Sequence, residues 1–326
     1  MYLLNYVWVP NSFVYLLILN FRFMESNDNL HADSNKKARI LIIGATGRVG
    51  SHIVKELEKN SEGTVIRLSS TEIATVNKWN KEGYESAVLD LDKPETFAEA
   101  LENVDRVFLL TSYTSDMLRQ SKMLVDAAGE AGVGHIVHLG VFTSRRDLIP
   151  HFIWHDLIET YIESSGMAWT HIHPNVIADS ILVVDPPISE TGYFTVLWGD
   201  ASQGWVFASD IAAVAAEVLR AGPQKHAGAN YYLSTEVLTG TEVAARLSKG
   251  SGKDIKCIML NPEDMTAMID QIPSASVKNY MESAQITMQL AKGGKMQAQN
   301  IVKDDVFTVL GRPGLTMEQW AVENLK

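Results

Sequence analysis

From residue 39 onward, short apolar, β-branched runs alternate with longer segments whose apolar positions recur every three to four residues. The runs predict strands at residues 40–43, 64–68, 86–89, 106–110, 135–139 and 169–173. The periodic segments predict helices near 48–59, 72–82, 94–102, 116–131 and 151–165. Strands separated by helices of this length make right-handed βαβ units, and so a parallel sheet covered by helices on both faces. Asp92, Pro94 and Glu95 read as an N-cap, a first-turn proline and a capping-box glutamate. After Pro174 the alternation becomes irregular. A helix is expected over 209–219, a strand over 230–233, and a helix from Thr239 with Glu242 as its capping partner. The methionine-rich stretch 261–300 reads as mostly helical, and a last helix follows Pro313 with Thr316 and Gln319 as its cap. Pieces this scattered predict no large core of their own. They predict a small cap over the C-terminal edge of the sheet, where ligands of open α/β sheets sit.

The sharpest local feature is R-I-L-I-I-G-A-T-G-R-V-G at residues 39–50. An apolar strand ends in Gly44, Gly47 and Gly50, and a helix follows at once with Val49, Ile53, Val54 and Leu57 on one face. Glycine lets backbone approach a pyrophosphate, and the N–H groups of a helix's first turn point at it. The spacing is G-x-x-G-x-x-G rather than G-x-G-x-x-G, so the order strand, turn, helix carries the reading. The alternative is a tight turn that binds nothing. The fold expected is a Rossmann-type doubly wound parallel sheet with a small C-terminal substrate-binding cap. Residues 1–38 would form an extension and linker, 39–176 the dinucleotide-binding domain, and 177–326 a mixed region that completes the sheet and builds the cap.

Composition narrows the partners. Among 326 residues the net charge is −11, which argues against a nucleic-acid surface and a polybasic membrane patch. The single cysteine, Cys257, excludes an internal disulfide and a cysteine metal cluster; it reads as a small core residue, and the compartment suggested is cytoplasmic. Residues 1–23 carry no charge before Arg22, but Asn5, Pro10, Asn11, Ser12 and Asn20 interrupt them. Met24 is the expected natural start, with 1–23 an upstream extension; a membrane anchor is the alternative.

Residues 39–324 resemble the NmrA-like branch of the atypical short-chain dehydrogenases/reductases. The resemblance rests on G-A-T-G-R-V-G at 44–50, V-L-D-L-D at 88–92, V-D-R-V-F-L-L-T at 104–111, S-G-M-A-W-T-H-I-H-P-N at 165–175, F-A-S-D-I-A at 207–212 and V-L-G-R-P-G-L-T-M-E-Q-W-A at 309–321. It implies NAD(P) binding and, often, reduction of a small flat organic molecule. By position, Gly44, Thr46, Gly47, Arg48 and Val49 would hold the pyrophosphate, and Asp90 and Leu91 would sit beside the adenine. Leu110, Thr111 and Ser112 would line the nicotinamide ribose, and Pro174, Asn175 and Val176 would flank nicotinamide and substrate. The second strand ends in Ser69, Ser70 and Thr71, with no carboxylate before Glu72. Nothing there repels a 2′-phosphate, and these hydroxyls with Arg48 could accept it, so NADP is expected, with NAD as the alternative.

The chain departs from ordinary short-chain dehydrogenases in its catalytic set. No Tyr-x-x-x-Lys exists: Tyr161 is followed four residues on by Ser165, and Gly140 stands where the serine would fall. His155 aligns where several relatives carry a lysine. His151, His155 and Glu159 share one helix face, and three readings stay open: His155 as a proton donor titrating near neutrality, a shared zinc ion, or a solvated or ribose-contacting polar face. His135, His138, His171 and His173 read as core or edge histidines, and Asp210 as a carboxylate favoured by a helix dipole. The function expected is an NADP(H)-dependent reductase of a small aromatic or conjugated substrate, acting as a monomer or homodimer, with the cap at 177–205 and 261–300 lining the substrate. A redox sensor that binds NAD(P) and a protein partner with little turnover is the alternative. A sugar-nucleotide epimerase is disfavoured, because that chemistry needs the missing tyrosine.

Overall fold

The computed structural model describes residues 37–144 and 146–325; the question of residues 1–23 lies outside them. Six parallel strands run in the order 3-2-1-4-5-6: β1 (Ala38–Ile42), β2 (Thr64–Ser70), β3 (Glu85–Val88), β4 (Arg106–Leu109), β5 (His135–Leu139) and β6 (Ala168–Pro174). This is the doubly wound order, and its direction reverses between β1 and β4. Strand β1 shows why the sheet is covered on both faces. Ile40 and Ile42 enter one core, and Leu41, with Ile43 just beyond the strand, enters the other.

Each face receives helices that the apolar period dictates. On the first lies α1 (Arg48–Glu58), burying Val49, Ile53 and Leu57 at successive turns. The other face takes α3 (Phe97–Leu101), α4 (Met117–Glu130) and α5 (Pro150–Glu163); α2 (Ile73–Lys81) flanks β2 and β3. The C-terminal half then rejoins the sheet. Helix α6 (Ala208–Ala221), rich in buried alanine, packs against α1. Strand β10 (Ala229–Ser234) extends the sheet beside β6, and β13 (Lys303–Asp304) closes it antiparallel. Residues Ala38–Lys326 form one compact unit.

The remaining elements form the cap. Strands β7 (Val176–Ile177), β9 (Gln203–Val206) and β11 (Glu236–Leu238) make one small sheet, and β8 (Tyr193–Val196) with β12 (Lys256–Met259) another. Around them lie α7 (Gly240–Ser251), α8 (Ala275–Lys292) and α10 (Met317–Asn324), while α9 (Asp305–Leu310) belongs to the sheet's first face. Contrary to the scattered pattern, this half builds a sizeable core, with Phe194, Trp198, Trp205, Phe207 and Trp320 buried together. Four of these aromatics lie within residues 194–207, but Val243, Leu247, Met317 and Trp320, on which they pack, come from far along the chain, so no local window reveals the core. Among the described residues no helix is long and apolar enough to cross a membrane.

The capping boxes at Thr239–Glu242 and Thr316–Gln319 form as expected, each side chain bonding the other residue's backbone N–H. The one at Asp92 does not. Its helix starts as a 3-10 turn, Pro94–Thr96, with no side-chain cap, and Asp92 accepts instead from Arg119 Nη2 (2.6 Å) and Gln120 Nε2 (3.0 Å). A cationic partner across the loop outcompetes two local N–H groups.

Candidate active site

The loops at the C-terminal ends of the strands enclose a cleft made of two adjoining pockets. Its outer half lies over β1, β2 and β3, and its inner half over β4, β5 and β6; Leu110, Thr111 and Ser112, just past β4, line both.

The outer half begins at the glycine turn. Gly44 has φ +73°, and its carbonyl accepts from Gly47 N–H (2.8 Å). A Cβ on Gly50 would lie 2.1 Å from that carbonyl oxygen. The chain therefore folds this tightly only with glycine at both positions. Helix α1 starts at Gly47 with no side-chain cap and no acidic residue in its first turn. Its leading N–H groups are left to an anion, which is the fit a pyrophosphate requires. Thr46 stands exposed at the turn, whereas Val49 is 6% exposed, so only its backbone faces this site. Arg48 is placed differently from the expectation. Its guanidinium donates to the carbonyls of Asp179 (2.7 Å) and Val183 (3.3 Å), holding the cap to α1.

At the tip of β2, Ser69 is buried and its hydroxyl donates to Ile42 O (3.0 Å), so it has no proton to offer a ligand. Ser70 Oγ accepts from Glu72 N–H (3.1 Å) and keeps its own proton; Thr71 also lines the cleft. Asp90 and Asp92 line the wall beyond β3. Lys93 Nζ lies 2.9 Å from Asp90, and Gln120 and Arg119 hold the Asp92 carboxyl below the usual range. Leu91 borders the same wall, and Ser112 Oγ donates to Gln120 Oε1 (2.7 Å), extending the network to the junction of the halves.

The inner half is lined by a different set of residues, most of them apolar or aromatic side chains. Leu139 ends β5, with Gly140 and Val141 just beyond it, and Pro174 ends β6, with Asn175 just beyond it; Val176, Ile177 and Ser180 come from the cap. Asn175 is fixed, its Nδ2 donating to Gln299 O (2.6 Å) and its Oδ1 accepting from Val176 N–H (3.0 Å). From the 261–300 stretch one residue arrives, Tyr280 of α8, edge-on to Tyr113 at 5.4 Å between ring centroids. Sequence reasoning missed Tyr113, Ser180, Gln120 and Tyr280. Tyr113 sits just past a named strand end and could have been found by that rule, whereas Gln120 lies within α4 and Ser180 in the cap, beyond its reach. Tyr280 carries no signal, since a lone tyrosine on a methionine-rich helix reads as packing.

Gly140 has a physical reason. A Cβ there would lie 2.5 Å from Glu159 Oε1, so the carboxylate fills the space a serine would need. Tyr161 points away, its hydroxyl donating to Asp126 of α4. His151, His155 and Glu159 do share one face of α5, but all three are buried, which overturns the solvated-face reading. Glu159 lies 3.5 Å from His173 Nδ1. His151 and His155 line the inner half. Burial pushes His155 down to about 3 and His151 down to about 4, so neither titrates near neutrality as expected. Among the described residues, no group of three or more His, Cys, Asp or Glu side chains is placed to hold a metal ion. His135, His138, His171 and His173 are buried core residues.

Known proteins place this geometry. The NmrA-like family model matches residues 36–306. The NAD(P)H azoreductase of Xenophilus azovorans is 30% identical over 287 residues, covering 86% of this chain and 96% of the relative. The (4-alkanoyl-5-oxo-2,5-dihydrofuran-3-yl)methyl phosphate reductase of Streptomyces griseus is 28% identical over 298 residues, covering 87% and 97%. Among solved structures, the triphenylmethane reductase of Citrobacter sp. complexed with NADP(H) has the same fold. It aligns with a TM-score of 0.72 at 22% identity, over 88% of this chain and 100% of that one. By its glycine turn, its strand order and these matches, the chain belongs to the NmrA-like family.

Proposed function

We propose that this protein is an NAD(P)H-dependent oxidoreductase that reduces a small aromatic or conjugated substrate, with NADPH preferred. The observation that carries this is a pair of adjoining pockets that meet at Leu110, Thr111 and Ser112. The outer half suits a dinucleotide: the uncapped start of α1 receives the pyrophosphate, and Leu91 with the charge-paired Asp90 borders the adenine. Ser70 and Thr71 face the ribose 2′ position. Glu72 does not line the cleft, so no carboxylate of the β2 tip opposes a 2′-phosphate. The inner half, walled by Pro174, Val176, Leu139 and Tyr280, suits a flat ring laid against the nicotinamide. The azoreductase and the furanone phosphate reductase among its relatives support the same chemistry.

When bound, the reduced nicotinamide supplies a hydride. This chain's residues hold the two rings together and exclude water; the site has no tyrosine–lysine relay. Rate then rests on alignment, as in other hydride transfers between stacked rings. His155 serves as a neutral contact rather than a charged acid.

Loss of NADPH absorbance with quinones, azo dyes and triarylmethane dyes tests the reading. Turnover with at least one class is expected. Tight NADPH binding with no turnover on any of them would replace it with the sensor reading.

A further inference from the structure

The inner half of the cleft contains a hydrogen-bond donor with a built-in orientation. His151 lies in the first turn of α5, and its ring touches two aromatic neighbours, Phe152 at 4.7 Å and Tyr280 at 5.2 Å between centroids. Its Nδ1 is 2.7 Å from Ser283 Oγ of the cap helix α8, and its backbone N–H donates to the same oxygen at 3.0 Å. Ser283 is 1% exposed. Buried, and with no other acceptor for its proton among the described residues, the Ser283 hydroxyl donates to Nδ1, which leaves the ring's own hydrogen on Nε2. Nε2 has no protein partner among the described residues, and it is not among the buried polar atoms left unpartnered. It therefore opens to the cleft as an N–H. His155, one turn on, differs: its Nδ1 is sealed in with no partner among the described residues, so nothing fixes its tautomer.

We propose that His151, with its tautomer set by Ser283, donates Nε2–H to an acceptor atom of the oxidised substrate and so selects substrates that carry one. This rests on the reductase reading above. A quinone carbonyl oxygen or an azo nitrogen offers such a lone pair beside the centre that takes the hydride. A cationic triarylmethane dye offers none at its central carbon. Hydride and its electron pair come from the reduced nicotinamide, and the second hydrogen of the reduced quinone or azo compound comes from a solvent proton. His151 loses no proton: its N–H polarises the acceptor and fixes which face of the substrate meets the cofactor. Burial keeps the imidazole neutral at physiological pH, so it presents Nε2–H without a charge that would repel a cationic dye.

The test is steady-state kinetics at saturating NADPH with 1,4-benzoquinone, a neutral azo dye and a cationic triarylmethane dye. For His151→Phe the ratio of kcat/KM for quinone or azo dye over that for triarylmethane dye should fall by about tenfold or more. His151→Gln, which keeps a donor, should recover part of the ratio. Ser283→Ala, which frees the tautomer and leaves the imidazole in place, should shift the ratio in the same direction by less. If His151→Phe fails to fold, the other two variants still decide. Losses spread equally over all three substrates, or an unchanged ratio in every variant that folds, would overturn the proposal while leaving the reductase reading intact. An unmodified protein that oxidises NADPH with none of the three would overturn the reductase reading and this proposal together.

Discussion

At the scale of single residues, buried imidazoles dominate the behaviour of this molecule. Burial holds His135 and His151 down to about 4, and His155 down to about 3. In the unfolded chain each titrates near ~6.5. Above that value neither state binds the proton and nothing is lost. As pH falls below it, the unfolded chain takes up protons that the folded chain refuses, so stability drops until the folded values are reached. One pH unit below the unfolded value, each such histidine costs about 1.4 kcal/mol. The melting temperature should therefore fall steeply between about pH 6.5 and pH 5. Glu85, held low by Arg39, weakens the fold only at more acid pH, where carboxylates titrate. A flat melting temperature across that interval would contradict the burial of these rings. His155→Ala should lower turnover by no more than about tenfold, because a neutral imidazole is not the essential acid. The pH–rate profile of the unmodified protein should show no inflection near neutrality owed to His155, and a His155-dependent inflection there would restore it as the acid. The burial of His135 was legible from its place on a strand, but that of His151 and His155 was not. His151, His155 and Glu159 look like a wet face, whereas Ile153, Leu157 and Tyr161 of the same helix are the exposed ones. The helix turns His151 and His155 inward onto the cleft and Glu159 onto His173, a pattern that hydrophobic periodicity misreads.

At the scale of elements, sequence reasoning does well where the cause is local. The β1–turn–α1 unit is readable because three glycines, a buried run and a 3.6-residue period sit within twenty residues. The capping boxes at Thr239 and Thr316 are readable for the same reason. It fails where a side chain finds a distant partner. Asp92 leaves its own helix for Arg119 and Gln120, and Asp210 does something similar. Read as a dipole-favoured carboxylate, Asp210 of α6 is 1% exposed. It accepts from Leu315 N–H (2.5 Å) and Arg312 Nη1 (2.8 Å), pinning the segment that leads into α10. Asp210→Ala leaves the half-buried Leu315 N–H without its acceptor and should cost about 1–2 kcal/mol. Arg312→Ala removes a half-exposed partner and should cost less than about 1 kcal/mol. Chemical denaturation of both variants checks the order. Equal losses would mean the ion pair, not the backbone bond, holds the segment. At the turn itself, Gly50→Ala should weaken NADPH binding, since its Cβ would push Gly44 O out of place. Titration of cofactor fluorescence measures it, and unchanged affinity would show that the turn absorbs a methyl group.

At the scale of the whole molecule, the question is whether the cap can melt while the sheet stands. Strand β9 answers it physically. Along one extended segment Val206 enters the core beneath α1 and α6, while Trp205 and Phe207 enter the cap's aromatic core. Trp205 Nε1 also donates to Leu238 O (3.0 Å), and Asp179 accepts from Ala208 N–H (2.7 Å) at the start of α6. Pulling either core apart therefore exposes the other, and Arg48 adds a tie from the glycine turn to the carbonyls of Asp179 and Val183. One cooperative transition is expected, with tryptophan fluorescence and far-ultraviolet circular dichroism giving the same midpoint. Because the cofactor cleft lies on the shared unit, ligand binding should move that whole transition. NADPH at about a hundred times its Kd should add about 2.7 kcal/mol to the unfolding free energy, and NADH at the same concentration should add less. Two separate transitions, of which NADPH moves only one, would show that the cap is an independent body. Equal shifts by the two nucleotides would instead remove the preference argued from Ser70 and Thr71, while leaving the cooperative unit and its dinucleotide site in place.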